Sequence, residues 1–382
     1  IVKEVLGPDA ESVALAWRFP GLASKDFEVL QVVSQVLYNG KAGLIDLDLN
    51  QQQKVLNSYG YPMGLADYSA FILGGLPKQG QTLEEVKDLL LNEIKKLRAG
   101  EFDEKMLQAN INNFKLYELQ SMESNEGRAD IFVNSFINGT NWEDEVTAID
   151  RMAKLTKEDI VAFADKYLKE DNYAVVYKKQ GKDPNEKKMT KPEITPIVSN
   201  RDVASPFLTS IQENAVKPIE PVFLDFKKDM SQLTAKSDIP VLYKQNTTND
   251  LFQLIYVFDM GNNNDKALGT AFDYLEYLGT SDMTPEELKS EFYRLACTFY
   301  VSPGNERTYV VLSGLNENMP AAMQLFEKLL ADAQVNKEAY NNLVGDILKA
   351  RADAKLNQGQ NFSRLMNYAM YGPKSPATNL LT

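Results

Sequence analysis

The amino-acid sequence repeats itself once, at an offset of 239 positions and without a gap. At this offset Leu15 aligns with Leu254 and Phe19 aligns with Phe258. The other matches fall at strand ends, at a helix-capping glycine and at a Gly-Leu pair: Tyr38 with Tyr277, Gly40 with Gly279, Leu49 with Leu288, Leu56 with Leu295, Tyr61 with Tyr300, Leu73 with Leu312, Gly75 with Gly314, and Leu76 with Leu315. A unit that occurs only twice indicates a duplicated domain rather than a solenoid.

Local patterns predict both strands and helices in each copy. The stretch SVALAWRF, from Ser12, alternates as a strand with one buried face does. Thr82 and Glu85 have the spacing of a capping box and open the amphipathic run TLEEVKDLLLNEIKKLRAG. The further predicted elements are a helix in DFEVLQVVSQVLYNG, a helix near Leu44–Leu56, two strands in YGYPMGLADYSAFILGGL, helices over 103–122, 125–138, 142–153 and 156–169, and a strand in YAVVYKK. This mixture predicts an α+β fold in which helices cover one face of an antiparallel-rich sheet.

A change of composition separates the two copies. The segment KKQGKDPNEKKMTKPEITPIVSNRDVASP is rich in Pro, Lys and polar residues and has no sustained period. Such a segment is typical of an extended linker. We therefore predict a first domain over 1–180, a linker over 181–222 and a second related domain over 223–382.

Composition excludes several classes of function. The chain has 382 residues, no histidine and a net charge of −12. Without histidine it cannot form a His-ligated zinc site, a Ser-His-Asp triad or a Cys-His pair. The acidic balance disfavours nucleic acid as a partner, and no apolar run reaches the roughly 20 residues that a membrane span needs.

The single cysteine, Cys297, excludes an internal disulfide and is expected to be a small buried hydrophobe. The chain begins at Ile1 without a leader, which predicts that it is processed or cut from a longer protein. Periplasmic, secreted and cytoplasmic locations all remain open.

The stretch GTAFDYLEYLGTS predicts a short helix that carries two carboxylates, Asp273 and Glu276. Its counterpart in the first copy, VVSQVLYNG, is a structural helix by its apolar content. We therefore favour an ordinary amphipathic helix over a catalytic acid pair, with both carboxylates facing solvent or a cleft. The residues available for packing are Ala271, Tyr274, Leu275 and Leu278.

A longer segment around this helix resembles the insulinase/pitrilysin family of zinc metallopeptidases. It runs KALGTAFDYLEYLGTSDMTPEELKSEFYRLACTFYVSPGNERTYVVLSGLNENMPAAMQLFEKLLADA. In active members, a helix with H-x-x-E-H precedes a similar Gly-Thr, a P-E-E-L helix and a Gly-Leu after a strand. The first copy is similar to the companion domain through TLEEVKDLLLNEIKKLRAGEFDEKMLQANINNF. The resemblance implies a metallopeptidase/LuxS-like layer architecture and the second and third domains of a long, four-domain member.

The sequence departs from this family at the zinc motif. Alignment on Gly279 and Thr280 puts residues 270–274 where H-x-x-E-H would lie, and no register supplies a histidine. We therefore assign no catalytic and no metal-binding residue to this chain. The resemblance implies that zinc is held elsewhere in the parent protein. It also implies that the end at ATNLLT is premature for a domain of this type.

The resemblance implies a noncatalytic segment of a zinc metallopeptidase that degrades peptides, inactive by itself and forming part of the substrate chamber. The alternative is a structural or assembly subunit of the same family without peptidase activity. The implied partners are the remaining domains of the parent chain and a peptide substrate. The candidate contacts with the chamber are Asp273, Glu276, Tyr277 and Tyr300. The strands around Phe299–Ser302 and in RTYVVLSG are candidates for pairing with an extended peptide.

Overall fold

The computed structural model describes residues 1–184, 189–197, 199 and 201–375. The chain forms two compact units, residues 1–183 with 249–382, and residues 184–248. The ATNLLT end and part of the predicted linker lie outside the described residues. The domain boundaries over 1–180, 181–222 and 223–382 stay predictions.

Five strands of the first copy form one sheet. They are β1 (Val2–Gly7), β2 (Ser12–Pro20), β3 (Asn57–Met63), β4 (Tyr68–Leu76) and β5 (Ala174–Gln180), in the order β1-β5-β2-β4-β3. The strands β2, β3, β4 and β5 pair antiparallel, and β1 pairs parallel with β5. The strand β1 is not predicted from the sequence because its partner lies more than 160 residues away.

Helices cover one face of this sheet. They are α1 (Lys25–Leu37), α2 (Leu83–Arg98), α3 (Lys105–Ser121), α4 (Asn125–Asn138), α5 (Trp142–Val146), α6 (Ala148–Met152) and α7 (Lys157–Tyr167). Alternate residues of β2, among them Leu15 and Trp17, are buried against α1, α2 and α7. The capping box of Thr82 and Glu85 is present, which confirms the predicted start of α2. The predicted helix over 142–153 is divided into α5 and α6 at Thr147.

The predicted helix near Leu44–Leu56 is wrong in length. Residues 44–51 are helical, and Asp46–Gln51 within them have the wider π geometry. Asn50 ends this segment because its side chain bonds to Ser58 at the start of β3, at 2.8 Å to both the backbone nitrogen and the carbonyl oxygen. The helix therefore ends at Gln51 and not at Leu56, and the chain turns into β3.

Three strands of the second copy form a sheet whose order matches that of β2, β4 and β3 in the first sheet. The strands are β8 (Leu251–Phe258), β9 (Cys297–Pro303) and β10 (Thr308–Leu315), and they lie in the order β8-β10-β9. The labels β6 and β7 belong to strands within residues 184–248, which are described below. Leu15 pairs with Leu73 across β2 and β4, and Leu254 pairs with Leu312 across β8 and β10. The register of the two sheets thus repeats at the offset of the sequence repeat, which confirms two related α+β copies.

The second copy also has helices, some of which pack on one face of its sheet. They are α9 (Leu268–Leu275), α10 (Pro285–Arg294), α11 (Met319–Asp332), α12 (Lys337–Ala354) and α13 (Gln358–Tyr371), with short 3-10 turns at Asn316–Asn318 and Gly372–Lys374. Leu312, Phe326 and Leu288 lie at the centre of the core between this sheet and α10 and α11. The single cysteine, Cys297, is buried in the same core, as predicted.

The two copies share buried and partly buried polar contacts. Lys78 forms an ion pair with Asp346 at 3.0 Å, and the Asn113 side chain donates to the carbonyl oxygen of Tyr293 at 2.8 Å. The Tyr293 hydroxyl lies 2.9 Å from the side-chain oxygen of Asn110, and all three residues of this cluster are buried. These bonds hold the two copies together because breaking them would leave buried polar groups without partners.

The unit over residues 184–248 contains little regular structure. Its elements are α8 (Pro206–Gln212), β6 (Ser231–Thr234), a 3-10 turn at Lys236–Asp238 and β7 (Pro240–Tyr243). The strands β6 and β7 pair antiparallel in a two-stranded sheet. Over the described residues of the whole chain, every helix is too short or too polar to traverse a lipid bilayer.

Candidate functional site

Two of the candidate residues, Glu276 and Tyr277, lie next to Lys289 at the end of α9. The helix α9 stops at Leu275, so Glu276 and Tyr277 lie in the turn that follows it. Thr284 and Glu287 form a capping box that fixes the start of α10, and Lys289 follows one turn later. The Lys289 ammonium lies 3.6 Å from the Glu276 carboxylate and 6.0 Å from the centre of the Tyr277 ring.

The electrostatics of this turn follow mainly from burial. Burial lowers the pKa of Lys289, against the opposing effects of Glu276 and Asp46. Burial and the nearby Glu276 charge raise the pKa of Asp273, and burial raises the pKa of Tyr277. The Gln51 side chain from the first copy donates to the carbonyl oxygen of Glu276 at 3.2 Å. The turn thus places a partly exposed ion pair next to the contact between the copies.

Two pockets lie next to this turn. A small one, of about 60 Å³, is lined by the Glu276 and Lys289 side chains together with Lys41, Cys297 and Phe299. Its volume admits a few water molecules and no peptide. A shallower recess of about 490 Å³ is lined by Tyr277, Thr280 and Asn336, among others. Neither lining includes Asp273 or Tyr300.

A buried carboxylate, Asp46, is a feature that the sequence analysis missed. One of its oxygens accepts the backbone N–H groups of Asn39, Gly40 and Gly43, at 2.8, 3.1 and 3.0 Å. Burial raises the pKa of Asp46 to about 6, although these three bonds lower it. Its signal in the sequence is an acid three residues after a glycine in NGKAGLID. The pattern gives no hint that the acid points inward.

Tyr300 lies apart from the turn, on the outer face of the second sheet. Residues that pair directly across a sheet point to the same side. Tyr300 pairs with Val311, which pairs with Ile255, and these residues lie opposite the core-facing Leu312 and Leu254. Tyr300 is 52% exposed, and Ile255 is 45% exposed.

The first sheet repeats this arrangement. Tyr61 is the repeat counterpart of Tyr300, pairs with Ile72 on the outer face and is 46% exposed. The nearby Arg18 guanidinium lies 4.7 Å from the centre of the Tyr68 ring on the same sheet. Both sheets therefore expose an aromatic side chain at the same register position on the face that their core helices leave uncovered.

The structure corrects one of the two candidate strands for pairing with a peptide. The strand β10, which contains RTYVVLSG, lies between β8 and β9 and uses both edges for pairing. It cannot accept a further strand. The strand β9, which contains Phe299–Ser302, lies at an edge of the sheet.

The residues present do not fit a catalytic zinc ion. The helix α9, at the position of the zinc helix in the resemblance, offers Asp273 as its sole side-chain carboxylate. Nowhere in the described ranges do three Asp, Glu or Cys side chains converge as a metal site would need. No step of a metal-dependent reaction is therefore assigned to this chain.

Comparison with known proteins connects the chain to zinc proteases. Residues 1–114 match the family model of the peptidase M16 inactive domain. A curated relative, the zinc protease PqqE of Helicobacter pylori, is 27% identical over 178 residues, which are 45% of this chain and 39% of that protein. The chain thus spans well under two thirds of the length of this relative.

Two solved structures are also similar. A protease of Helicobacter pylori matches with 23% identity over 47% of this chain and 44% of its own, at a TM-score of 0.43. The periplasmic protease PqqL of Escherichia coli matches with 13% identity over 100% of this chain and 45% of its own, at a TM-score of 0.38. The relationship itself rests on the family model and the curated relative. Residues 1–114 are thus similar to the noncatalytic, inactive-domain part of the M16 peptidases, the insulinase/pitrilysin-like family that the sequence resembles.

Proposed function

We propose that this chain is a noncatalytic part of a zinc metallopeptidase that degrades peptides, and that the outer faces of its two sheets form part of the substrate chamber. The zinc ion would be held by another part of the parent protein. The observation that carries the proposal is the pair Tyr61 and Tyr300, exposed at equivalent positions on the two uncovered faces. Aromatic rings at fixed positions are typical contacts for peptide side chains.

The edge of the second sheet supports the same role. An edge strand has free backbone N–H and C=O groups, which can pair with an extended peptide of any sequence. The strand β9 has such an edge next to Tyr300. Asp273, Glu276 and Tyr277 are proposed as further contacts with substrate at the contact between the copies. The net charge of −12 would weakly favour basic peptides.

Peptide binding by the intact chain tests the chamber role. We expect replacement of both Tyr61 and Tyr300 by Ala to weaken binding of a labelled, unstructured peptide about tenfold, as loss of two aromatic contacts of about 0.5–1.5 kcal/mol each implies. Fluorescence anisotropy measures the affinity. The control is Tyr371→Ala, which removes a comparably exposed ring from α13 and should leave binding unchanged. Equal affinity of the double variant and the original chain would contradict the chamber role of the two rings.

Peptidase assays separate this proposal from the alternative of a structural or assembly subunit. We expect the parent protein to cleave peptides in a manner that a chelator abolishes, and this chain alone to be inactive. Buried polar bonds between the copies suit a framework role equally well. A parent without any chelator-sensitive cleavage would favour the assembly role.

A further inference from the structure

The helix α4 presents a row of apolar side chains to solvent. Helical spacing places these side chains on one side of the helix, and they are Phe132, Val133, Phe136 and Ile137. Each is between 50% and 87% exposed. Within 125–138, all of which the structure describes, Ser135 alone is buried. In α2, by contrast, the exposed residues are all polar. The apolar row therefore differs from the ordinary solvent side of a helix that covers a sheet.

The helix α5 enlarges this row into a patch. The Trp142 ring stacks on the Phe132 ring, with 4.5 Å between their centres. Val146 lies one turn further along α5 and is 54% exposed. Soluble proteins rarely leave large apolar side chains so close together in water unless the surface binds a partner. We call six side chains the α4–α5 patch: Phe132, Val133, Phe136, Ile137, Trp142 and Val146.

Exposed carboxylates lie along the edge of the α4–α5 patch. Glu126 and Asp130 precede Val133 and Ile137 at spacings of three and four residues, so all four side chains follow one side of α4. Glu143 follows directly after the tryptophan of α5. The patch thus combines an apolar centre with an acidic edge.

The charge of this edge is not balanced within the described part of the chain, where Glu126, Asp130 and Glu143 form no ion pair. Two basic side chains of this region already have acidic partners, because Lys25 pairs with an aspartate of α5 and Arg151 pairs with a glutamate of α1. A third, that of Arg128, donates to the backbone just before α4. The three carboxylates therefore remain available to a positively charged partner.

The shape and charge of the patch indicate what it binds. It consists of side chains on two helices and includes no strand edge, so it suits the apolar side of another helix. Its acidic edge suits Lys and Arg on that helix. A second copy of this chain suits it less, because a symmetric dimer would bring two acidic edges together and each copy has a net charge of −12.

We propose that the α4–α5 patch binds an amphipathic, positively charged helix of a partner protein. The apolar side of that helix packs on Phe136 and Trp142, and its Lys or Arg side chains pair with Glu126, Asp130 and Glu143. The proposal goes beyond the peptidase role, since the peptide contacts proposed above lie on the two sheets and in the turn after α9.

A designed peptide is the probe for this surface. It has about 18 residues, which is long enough to form a helix, with Leu on one side and Lys on the other, and it carries a fluorescent label. The control peptide has Glu in place of Lys. Fluorescence anisotropy with the intact chain measures both affinities at about 0.1 M salt. We expect the Lys peptide to bind at least about tenfold more tightly than the Glu peptide. Equal affinities would overturn the proposal.

Two matched variants locate the apolar contact. Phe136→Ser removes the most exposed ring of the patch without changing any charge, and it should weaken binding of the Lys peptide about tenfold. Phe362→Ser removes a ring of α13 that is 63% exposed, and it should leave binding unchanged. Binding that Phe136→Ser weakens no more than Phe362→Ser does would contradict the proposal.

A second matched pair tests the acidic edge. Glu126→Gln combined with Asp130→Asn should weaken binding of the Lys peptide about threefold to tenfold and reduce its dependence on salt. Glu158→Gln combined with Asp171→Asn removes the same charge from exposed positions outside the patch and should have little effect. Equal losses in the two double variants would mean that the net charge of the chain attracts the peptide, which would also overturn the proposal.

Two further measurements exclude other occupants. Sedimentation would identify a second copy as the partner if the chain forms a dimer that Phe136→Ser abolishes. Binding of the Lys peptide to this chain but not to the parent protein would show that another part of the parent covers the patch. Either result would overturn the proposal. Because no readout involves cleavage, the peptidase role is decided separately.

Discussion

At the scale of single residues, Asp46 shows how burial changes the chemistry of an ordinary side chain. Its carboxylate holds the loop from Asn39 to Gly43 by three backbone bonds, and it is almost fully buried. Burial raises its pKa from 3.8 to about 6. The folded chain therefore binds this proton more tightly than the unfolded chain does, and ionisation of Asp46 weakens the fold.

The stability contributed by Asp46 should fall as pH rises from about 4 to about 6. Asparagine cannot ionise. We therefore expect the stability of Asp46→Asn, relative to the original chain, to rise by about 2 kcal/mol from pH 4.5 to pH 7. Urea unfolding at the two pH values measures the difference. The exposed residue Asn172 provides the control, because Asn172→Ala changes no titratable group and should shift both values equally. A relative stability of Asp46→Asn that does not change with pH would show that the carboxylate is already ionised at pH 4.5.

At the scale of elements, the equivalent glycines Gly75 and Gly314 each lie close to a different neighbour. A Cβ atom on Gly75 would lie 2.4 Å from a methyl group of Val86, whereas a Cβ on the equivalent Gly314 would lie 2.4 Å from the carbonyl oxygen of Ala296. A side-chain methyl group can move aside, but a backbone oxygen at the end of α10 cannot move without distorting the helix–strand junction. Both copies therefore have glycine at this position, but the neighbour that leaves no room for a side chain is Val86 in the first copy and Ala296 in the second.

We expect Gly314→Ala to destabilise the chain by about 3 kcal/mol and Gly75→Ala by about 1–2 kcal/mol, because overpacking costs more against rigid backbone. Thermal or urea unfolding measures both. Gly345→Ala in α12 is the control, since its Cβ would meet nothing within 4 Å and alanine favours a helix. It should be neutral or slightly stabilising. Equal costs at positions 75 and 314 would mean that the strand β10 relaxes away from Ala296.

The elements that the sequence predicts well are those that local patterns determine. The alternation of SVALAWRF, the capping box at Thr82 and the helix over 125–138 all appear as expected. The strand β1 and the early end of the helix at Gln51 depend on contacts with distant segments, which no local period encodes. For the site, the exposure of Asp273 and Glu276 is predicted. The ion pair between Lys289 and Glu276 is not predicted, because it depends on the path of the turn after α9.

At the scale of the whole molecule, the contacts between the copies matter more than the segment that joins them in sequence. Residues 1–183 and 249–382 form one compact unit. The bonds across it include Lys78 with Asp346 and Tyr293 with Asn110. We therefore expect the two copies to stay associated when the connection through residues 184–248 is cut.

Cleavage of the exposed backbone over 189–197 tests this directly. We expect the two fragments to elute together from a sizing column under native conditions and to separate only in denaturant. The control is a nicked Tyr293→Phe variant, which loses the buried bond to Asn110 at a cost of about 1–3 kcal/mol and should separate at a lower denaturant concentration. Fragments that separate without denaturant would show that the chain connection, and not the contact, holds the copies together.

The burial of Cys297 gives this protein an intrinsic chemical reporter. It is the sole thiol of the chain, it lies at the start of β9, and burial raises its pKa to about 11. Burial and the raised pKa keep the reactive thiolate scarce at neutral pH, and movement of β9 out of the core would make the thiol accessible and more readily ionised. The rate at which a thiol-specific label attaches would therefore record the opening of the second sheet alone, without any engineered probe, and would distinguish loosening of that copy from loosening of the first.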